Sequence, residues 1–180
     1  IVLWKTGHSY IKRKTNEINA TAGFERSGHF FFNNPIGRGY DDGILSALEI
    51  LKILDSNKGK KLNDLYNELP ITFSSPTMSP KCLEEYKYDV VEKIKKIFQN
   101  KMKNNQSLAG QKILSILTVN GVRIHLEDGS WGLVRASSNS PNLVVVCEST
   151  VSKERMKEVF DGLNSELMKF EEIGEYDQKI

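Results

Sequence analysis

The sequence predicts an α+β chain of two successive units, the second an antiparallel sheet of about four strands with two helices on one face. Asn120-Gly121 lies between two alternating apolar runs, a strong signal for a tight hairpin. Two long segments with apolar residues at helical spacing enclose a set of short strand-like runs. The stretch Asp55-Ser56-Asn57-Lys58-Gly59-Lys60-Lys61 is polar throughout and separates the units.

In the first unit, Ile1-Val2-Leu3-Trp4-Lys5 reads as the middle of a strand. It has no basic leader region and no initiator Met, so the chain is expected to be cut from a longer one. Residues 8–19 form a short basic helix. Residues 20–24 and 29–32 follow as strands around the turn Glu25-Arg26-Ser27-Gly28. After the Gly-rich loop 33–40, Asp41 or Asp42 caps a helix whose apolar stripe is Ile44, Leu45, Leu48, Leu51 and Leu54. Residues 62–69 form a brief helical turn before Pro70.

The second unit begins near Ile71. Its first strand, 71–78, carries Pro76 and therefore belongs at a sheet edge. A helix over 84–103 turns Val90, Val91, Ile94, Ile97, Phe98 and Met102 inward. Strands follow at 113–119, 122–126, 131–136 and 143–147, linked by Asn120-Gly121, Asp128-Gly129 and a loop after Arg135. The last helix starts near Ser152 and buries Met156, Val159, Phe160, Leu163 and Leu167. Trp131 reads as core between sheet and helix, and His125 as structural.

The bulk numbers narrow the partners. A net charge of +2, from 25 basic and 23 acidic residues, gives no general field toward nucleic acid or an anionic membrane. No apolar run is long enough to span a bilayer. Cys82 and Cys147 are the only cysteines and have no metal-ligand spacing, so no metal site is expected. Cys147 ends an apolar run and reads as a buried thiol, which favours a reducing, cytoplasmic setting.

Two stretches carry chemistry. Arg135-Ala136-Ser137-Ser138-Asn139-Ser140-Pro141 sets a forked guanidinium beside hydroxyls, an amide and backbone N–H groups at a strand-to-strand bend. Such a loop suits one small anion, and phosphate best of all. In a plainer reading Arg135 is a surface ion-pair partner and the rest a turn. Glu25-Arg26-Ser27-Gly28-His29 alternates a carboxylate, a hydroxyl and an imidazole. A carboxylate can accept from two neighbouring sugar hydroxyls, and His29 can change charge near neutral pH. His8 stands at a helix start, where free N–H groups favour an anion.

The motifs Trp4-Lys5-Thr6-Gly7-His8-Ser9, Glu25-Arg26-Ser27-Gly28-His29, Tyr40-Asp41-Asp42-Gly43-Ile44 and Trp131-Gly132-Leu133-Val134-Arg135-Ala136-Ser137 occur in that order. In them the chain resembles the α-D-phosphohexomutases, most closely the bacterial phosphomannomutase/phosphoglucomutase branch. The resemblance implies that residues 1–55 are the later part of an α/β third domain, 56–70 an interdomain joint, and 71–180 a fourth domain with a TATA-binding-protein-like fold. It further implies interconversion of hexose 1-phosphate and 6-phosphate through a bisphosphate. The family's phosphoserine and magnesium loops lie in its earlier domains, and neither motif occurs here, so this stretch alone is expected to be inactive.

By the same resemblance His8, Glu25, Ser27 and His29 contact the sugar, and His29 takes part in proton transfer. Arg135, Ser137, Ser138, Asn139 and Ser140 grip the non-reacting phosphate. Ser138 and Asn139 stand where the family usually reads Asn-Thr, and Phe24 replaces a small residue, which is expected to crowd the sugar loop. The implied partners are hexose phosphates and the missing domains of the same polypeptide, with magnesium as the intact enzyme's cofactor. A phosphoglucosamine mutase is the nearest alternative. A nucleic-acid-binding module, using Lys87, Lys93, Lys95, Lys96, Lys101 and Lys103 on one helix, is the alternative from another class.

Overall fold

The computed structural model describes residues 1–180, which divide into two compact units, 1–70 and 71–180. Residues 56–70, read above as a joint, are grouped with the first unit.

The first unit opens with α1 (His8–Glu17), followed by the hairpin strands β1 (Ala22–Phe24) and β2 (Phe30–Phe32), paired with Phe24 opposite Phe30. Phe31 is wholly buried. Beside it, the buried Asn33 amide donates to the Thr15 and Ala20 carbonyls at 3.2 and 2.8 Å, tying the hairpin to the end of α1. Helix α2 (Gly43–Ser56) starts where the Asp42 carboxylate accepts from the N–H groups of Ile44 and Leu45, at 3.1 and 2.9 Å. That cap satisfies two donors that every helix start leaves over. A short α3 (Leu62–Asn67) completes the unit.

One expectation fails here. Residues 1–5 form no strand and are exposed, because an apolar run becomes a strand only when another backbone pairs with it. No residue of α2 is buried: Ile44, Leu48 and Leu51 are exposed and Leu45 and Leu54 half-buried. The stripe is present, but this unit has only a two-stranded hairpin and nothing broad enough to cover it.

The second unit is an antiparallel sheet with two helices packed on one face. Its elements are β3 (Phe73–Ser74), α4 (Lys87–Lys103), β4 (Ser107–Leu108), β5 (Gln111–Leu117), β6 (Val122–Leu126), β7 (Trp131–Ala136), β8 (Leu143–Ser149) and α5 (Lys153–Leu167). Strand order is β3-β8-β7-β6-β5-β4, so the four long strands are flanked by two-residue ones: β3, within the edge strand expected over 71–78, and β4, which was not expected. Edge strand β3 ends before Pro76. Pairing with β8 resumes beyond it, where the Met78 N–H donates to the Val145 carbonyl at 3.0 Å.

Val90, Val91, Ile94 and Phe98 of α4 and the five expected apolar residues of α5 meet Val122, Ile124, Val134, Val145 and Cys147 of the sheet in one core. Full burial of such a side chain stabilises by about 1.5–3 kcal/mol. Ile97 is only partly buried and Met102 is exposed. At Gly132 a Cβ would overlap Leu163 Cδ1, so the missing side chain is what lets α5 lie flat on β7. Burial pushes the Cys147 thiol up to about 12, which keeps it a small apolar filler.

Trp131 is not in this core. It points, like Arg135, to the opposite face of β7, where its indole lies 3.8 Å from the Arg123 guanidinium and donates to Glu148 at 3.1 Å. Alternation along β7 requires this once Gly132 and Val134 face the helices. His125 shares the open face, and burial with the nearby Arg123 charge lowers its pKa.

Candidate functional site

Each unit carries one candidate cluster. In the first, the β1–β2 turn is closed by the Glu25 N–H donating to the His29 carbonyl and the Gly28 N–H donating to the Glu25 carbonyl, both at 3.0 Å. The Glu25 carboxylate accepts from the Gly7 N–H at 2.6 Å, which binds the turn to the start of α1. His8 is the first residue of that helix. Its ring meets His29 edge-on at 5.8 Å and Phe31 at 4.9 Å. The structure thus gathers His8, Glu25 and His29, with Ser27 exposed at the tip of the same turn. Phe24 does not crowd them: it is exposed and tilted against Phe30, 5.8 Å away.

Asp41, expected as one of two possible caps of α2, leaves that role to Asp42 and joins this cluster instead. Its carboxylate lies 2.6 Å from His29 Nδ1, and its other oxygen accepts from the Phe30 N–H at 3.1 Å. The His29 hydrogen bond, helped by the Phe30 N–H and against slight burial, holds Asp41 below the usual carboxylate range. An ionised carboxylate only accepts, so Nδ1 carries the hydrogen in this pair. The signal was the Asp41-Asp42 pair: one carboxylate caps α2, and its neighbour is then available for another task.

In the second unit, the ladder between β7 and β8 ends with the Ser137 N–H donating to the Asn142 carbonyl at 3.0 Å, and the chain bulges outward over 138–141. Arg135 is half-buried and makes no ion pair. One of its nitrogens donates to the Ala136 carbonyl at 3.1 Å, and burial lowers its pKa, so its charge is poorly compensated within the protein. The Ser137 and Ser140 hydroxyls are 2.9 Å apart, and the Asn139 N–H reaches the Ser137 hydroxyl at 3.4 Å. Ser138 and Asn139 are exposed at the tip.

Gly121, at φ +86°, sits against this strand. A Cβ there would overlap the Val134 carbonyl and the Arg135 Cβ, so the Asn120-Gly121 turn lies directly on the backbone that carries the guanidinium.

Lys87 differs most from its expected place. It is 1% exposed and its ammonium donates to the Ser137 carbonyl at 2.6 Å, beneath the loop. Lys93, Lys95 and Lys101 are paired with Asp89, Glu92 and Glu166. Most of the helix charge available to a nucleic acid is therefore already neutralised. Helical spacing was the missed signal, since residue 87 shares a stripe with 90, 91, 94 and 98.

No group of three or more His, Cys, Asp or Glu side chains is placed to hold a metal ion, and no helix is long and apolar enough to cross a membrane. A cleft of about 420 Å³ between the Gly37 loop and α2 contains none of the candidate residues of the 25–29 turn.

Residues 1–73 match the family model described as phosphoglucomutase/phosphomannomutase, alpha/beta/alpha domain III, and residues 81–165 match the C-terminal domain of the same family. The chain belongs to the phosphoglucomutase/phosphomannomutase family. The phosphomannomutase/phosphoglucomutase of Pseudomonas aeruginosa is 36% identical over 161 residues, covering 88% of this chain and 32% of that protein. A phosphoglucomutase of Neisseria meningitidis is 30% identical over 151 residues, covering 82% of this chain and 29% of that protein. A solved phosphoglucomutase/phosphomannomutase family protein from Burkholderia thailandensis superposes with a TM-score of 0.76 at 27% identity, covering 93% of this chain and 32% of that one. The chain thus spans about a third of the length of the curated relatives it matches.

Proposed function

We propose that this chain is the substrate-holding C-terminal part of an enzyme that interconverts hexose 1-phosphates and hexose 6-phosphates through a bisphosphate. The observation that carries the reading is Arg135: a half-buried guanidinium without a carboxylate partner, beside a loop of N–H and hydroxyl donors. In this reading Arg135 forks onto the non-reacting phosphate, assisted by Ser137, Ser138, Asn139 and Ser140. Glu25 and Ser27 hold the central sugar hydroxyls, and His8 contacts the phosphosugar. His29, held in one tautomer by Asp41, takes or gives a proton at Nε2.

Gripping the sugar by its middle and by its inert phosphate suits a substrate that must bind in two orientations. The magnesium implied for the whole enzyme finds no ligand set in these residues, and none of these roles depends on it. The 180-residue chain by itself is expected to bind but not convert its ligands.

Calorimetric titration with glucose 1-phosphate, mannose 1-phosphate and glucosamine 1-phosphate tests this. Arg135→Ala should weaken binding by about 1.5–3 kcal/mol, one to two orders of magnitude. Preference for the aminosugar would move the assignment to a phosphoglucosamine mutase. Binding that ignores Arg135→Ala, or salt-sensitive retention on DNA in its place, would overturn it.

A further inference from the structure

We propose that Lys87 is a positioning residue for the anion loop: its buried ammonium clamps the Ser137 peptide so that the Ser138 N–H points outward before a phosphate arrives. The inference rests on the reading of 135–141 as a phosphate loop. It begins from an unusual burial, since lysine is almost never enclosed unless paired. Taking an ammonium out of water is unfavourable by several kcal/mol unless its hydrogens are satisfied.

Here they are satisfied mainly by the loop. The Lys87 ammonium donates to the Ser137 carbonyl at 2.6 Å and the Ser140 carbonyl at 3.3 Å, and lies 2.7 Å from the exposed Glu84 carboxylate. Two of these partners are 50 and 53 residues away in sequence, so helix α4 is fastened to the bend of another element.

Peptide geometry converts the clamp into aim. The Ser137 carbonyl and the Ser138 N–H belong to one trans peptide, whose C=O and N–H point in opposite directions. Holding the carbonyl toward the core therefore directs the N–H away from it. That N–H has no partner within the protein, whereas those of Ser137 and Asn139 are engaged. An ammonium on the carbonyl also polarises the peptide and strengthens the N–H as a donor. The second clamp, at Ser140, falls on the peptide before Pro141, which has no N–H to give. Lys87 thus fixes both ends of the bend and aims one donor without touching the ligand.

The test is an NMR titration of the ¹⁵N-labelled chain with inorganic phosphate at low ionic strength, following the amides of residues 137–140. Lys87→Met should weaken phosphate about tenfold and abolish the phosphate-induced shift of Ser138 before those of its neighbours. Melting curves establish that the variant is folded. Glu84→Gln, at an exposed position, removes the charge that offsets the ammonium and should tighten phosphate about twofold. A folded Lys87→Met with unchanged affinity would overturn the role of Lys87 and leave the phosphate loop standing. Should Lys87→Met not fold, Glu84→Gln decides, and unchanged or weakened binding there counts against the proposal. No loop shift in the unaltered chain would remove the phosphate reading and this inference together.

Discussion

Ile94, Phe98 and Leu163 are wholly enclosed in the second unit, whereas Ile44, Leu48 and Leu51 of the first are about half exposed or more. The two candidate loops differ in the same way. Residues 135–141 stand on a closed core with a buried cation beneath them. The 25–29 turn is held by a few polar ties: Gly7 to Glu25, and Asp41 to His29 and Phe30. Burial locks geometry cooperatively, while each such tie contributes only about 1 kcal/mol and can be lost singly. Equivalent-looking loops therefore have supports of very different strength.

The sharpest way to break that comparison is to cut both apolar stripes. Phe98→Ala should cost about 3–5 kcal/mol in urea unfolding, while Leu51→Ala in α2 should stay within about 0.5 kcal/mol. Equal costs would mean that α2 is covered after all. Next in size is Asp42→Ala, which removes the α2 cap. A loss of about 0.5–2 kcal/mol is expected, seen as reduced helical circular dichroism, with the sheet of the second unit unaffected.

The smallest effect is pH dependence, and it sharpens the contrast by reporting on the second unit. His125 is held neutral by burial and by Arg123, so its folded pKa lies below its unfolded value. The unfolded state then binds the proton first, and stability falls as pH drops from 7 through about 6.5 toward the lower folded value. Burial opposes the ionisation of Asp128 and Glu166. Hydrogen bonds prevail, from Ser130 and Arg155 to the former and from Lys169 and Lys101 to the latter, so both pKa values are lowered. Their stabilisation is full above the ordinary carboxylate range and is lost as pH falls through the depressed folded values. Thermal melts between pH 7 and 3 should show both steps, and His125→Gln should remove the first.

How much of this was legible in the sequence follows from the range of the forces involved. Helices α4 and α5 and the Asn120-Gly121 hairpin are written in local periodicity and turn chemistry, and they stand where the pattern placed them. Residues 1–5 form no strand despite their apolar run, because strand formation belongs to a pair of segments and such a run specifies only one of them. Two-residue strands such as β4 have no period to detect. The residue type of Trp131 suggests the core, yet its register beside Gly132 puts it on the open face. The loop residues themselves were visible as motifs. Their supports, Asp41 and Lys87, were not, because one reaches 12 residues back and the other about 50 forward.

The fit of Gly121 against Arg135 has a consequence for variation in this chain. With no room for even a methyl group, the hairpin turn acts as a stop that sets how far along its strand the guanidinium can ride. A bulkier residue in that bend would move the cation bodily, without altering a single donor in the neighbouring 137–140 bend.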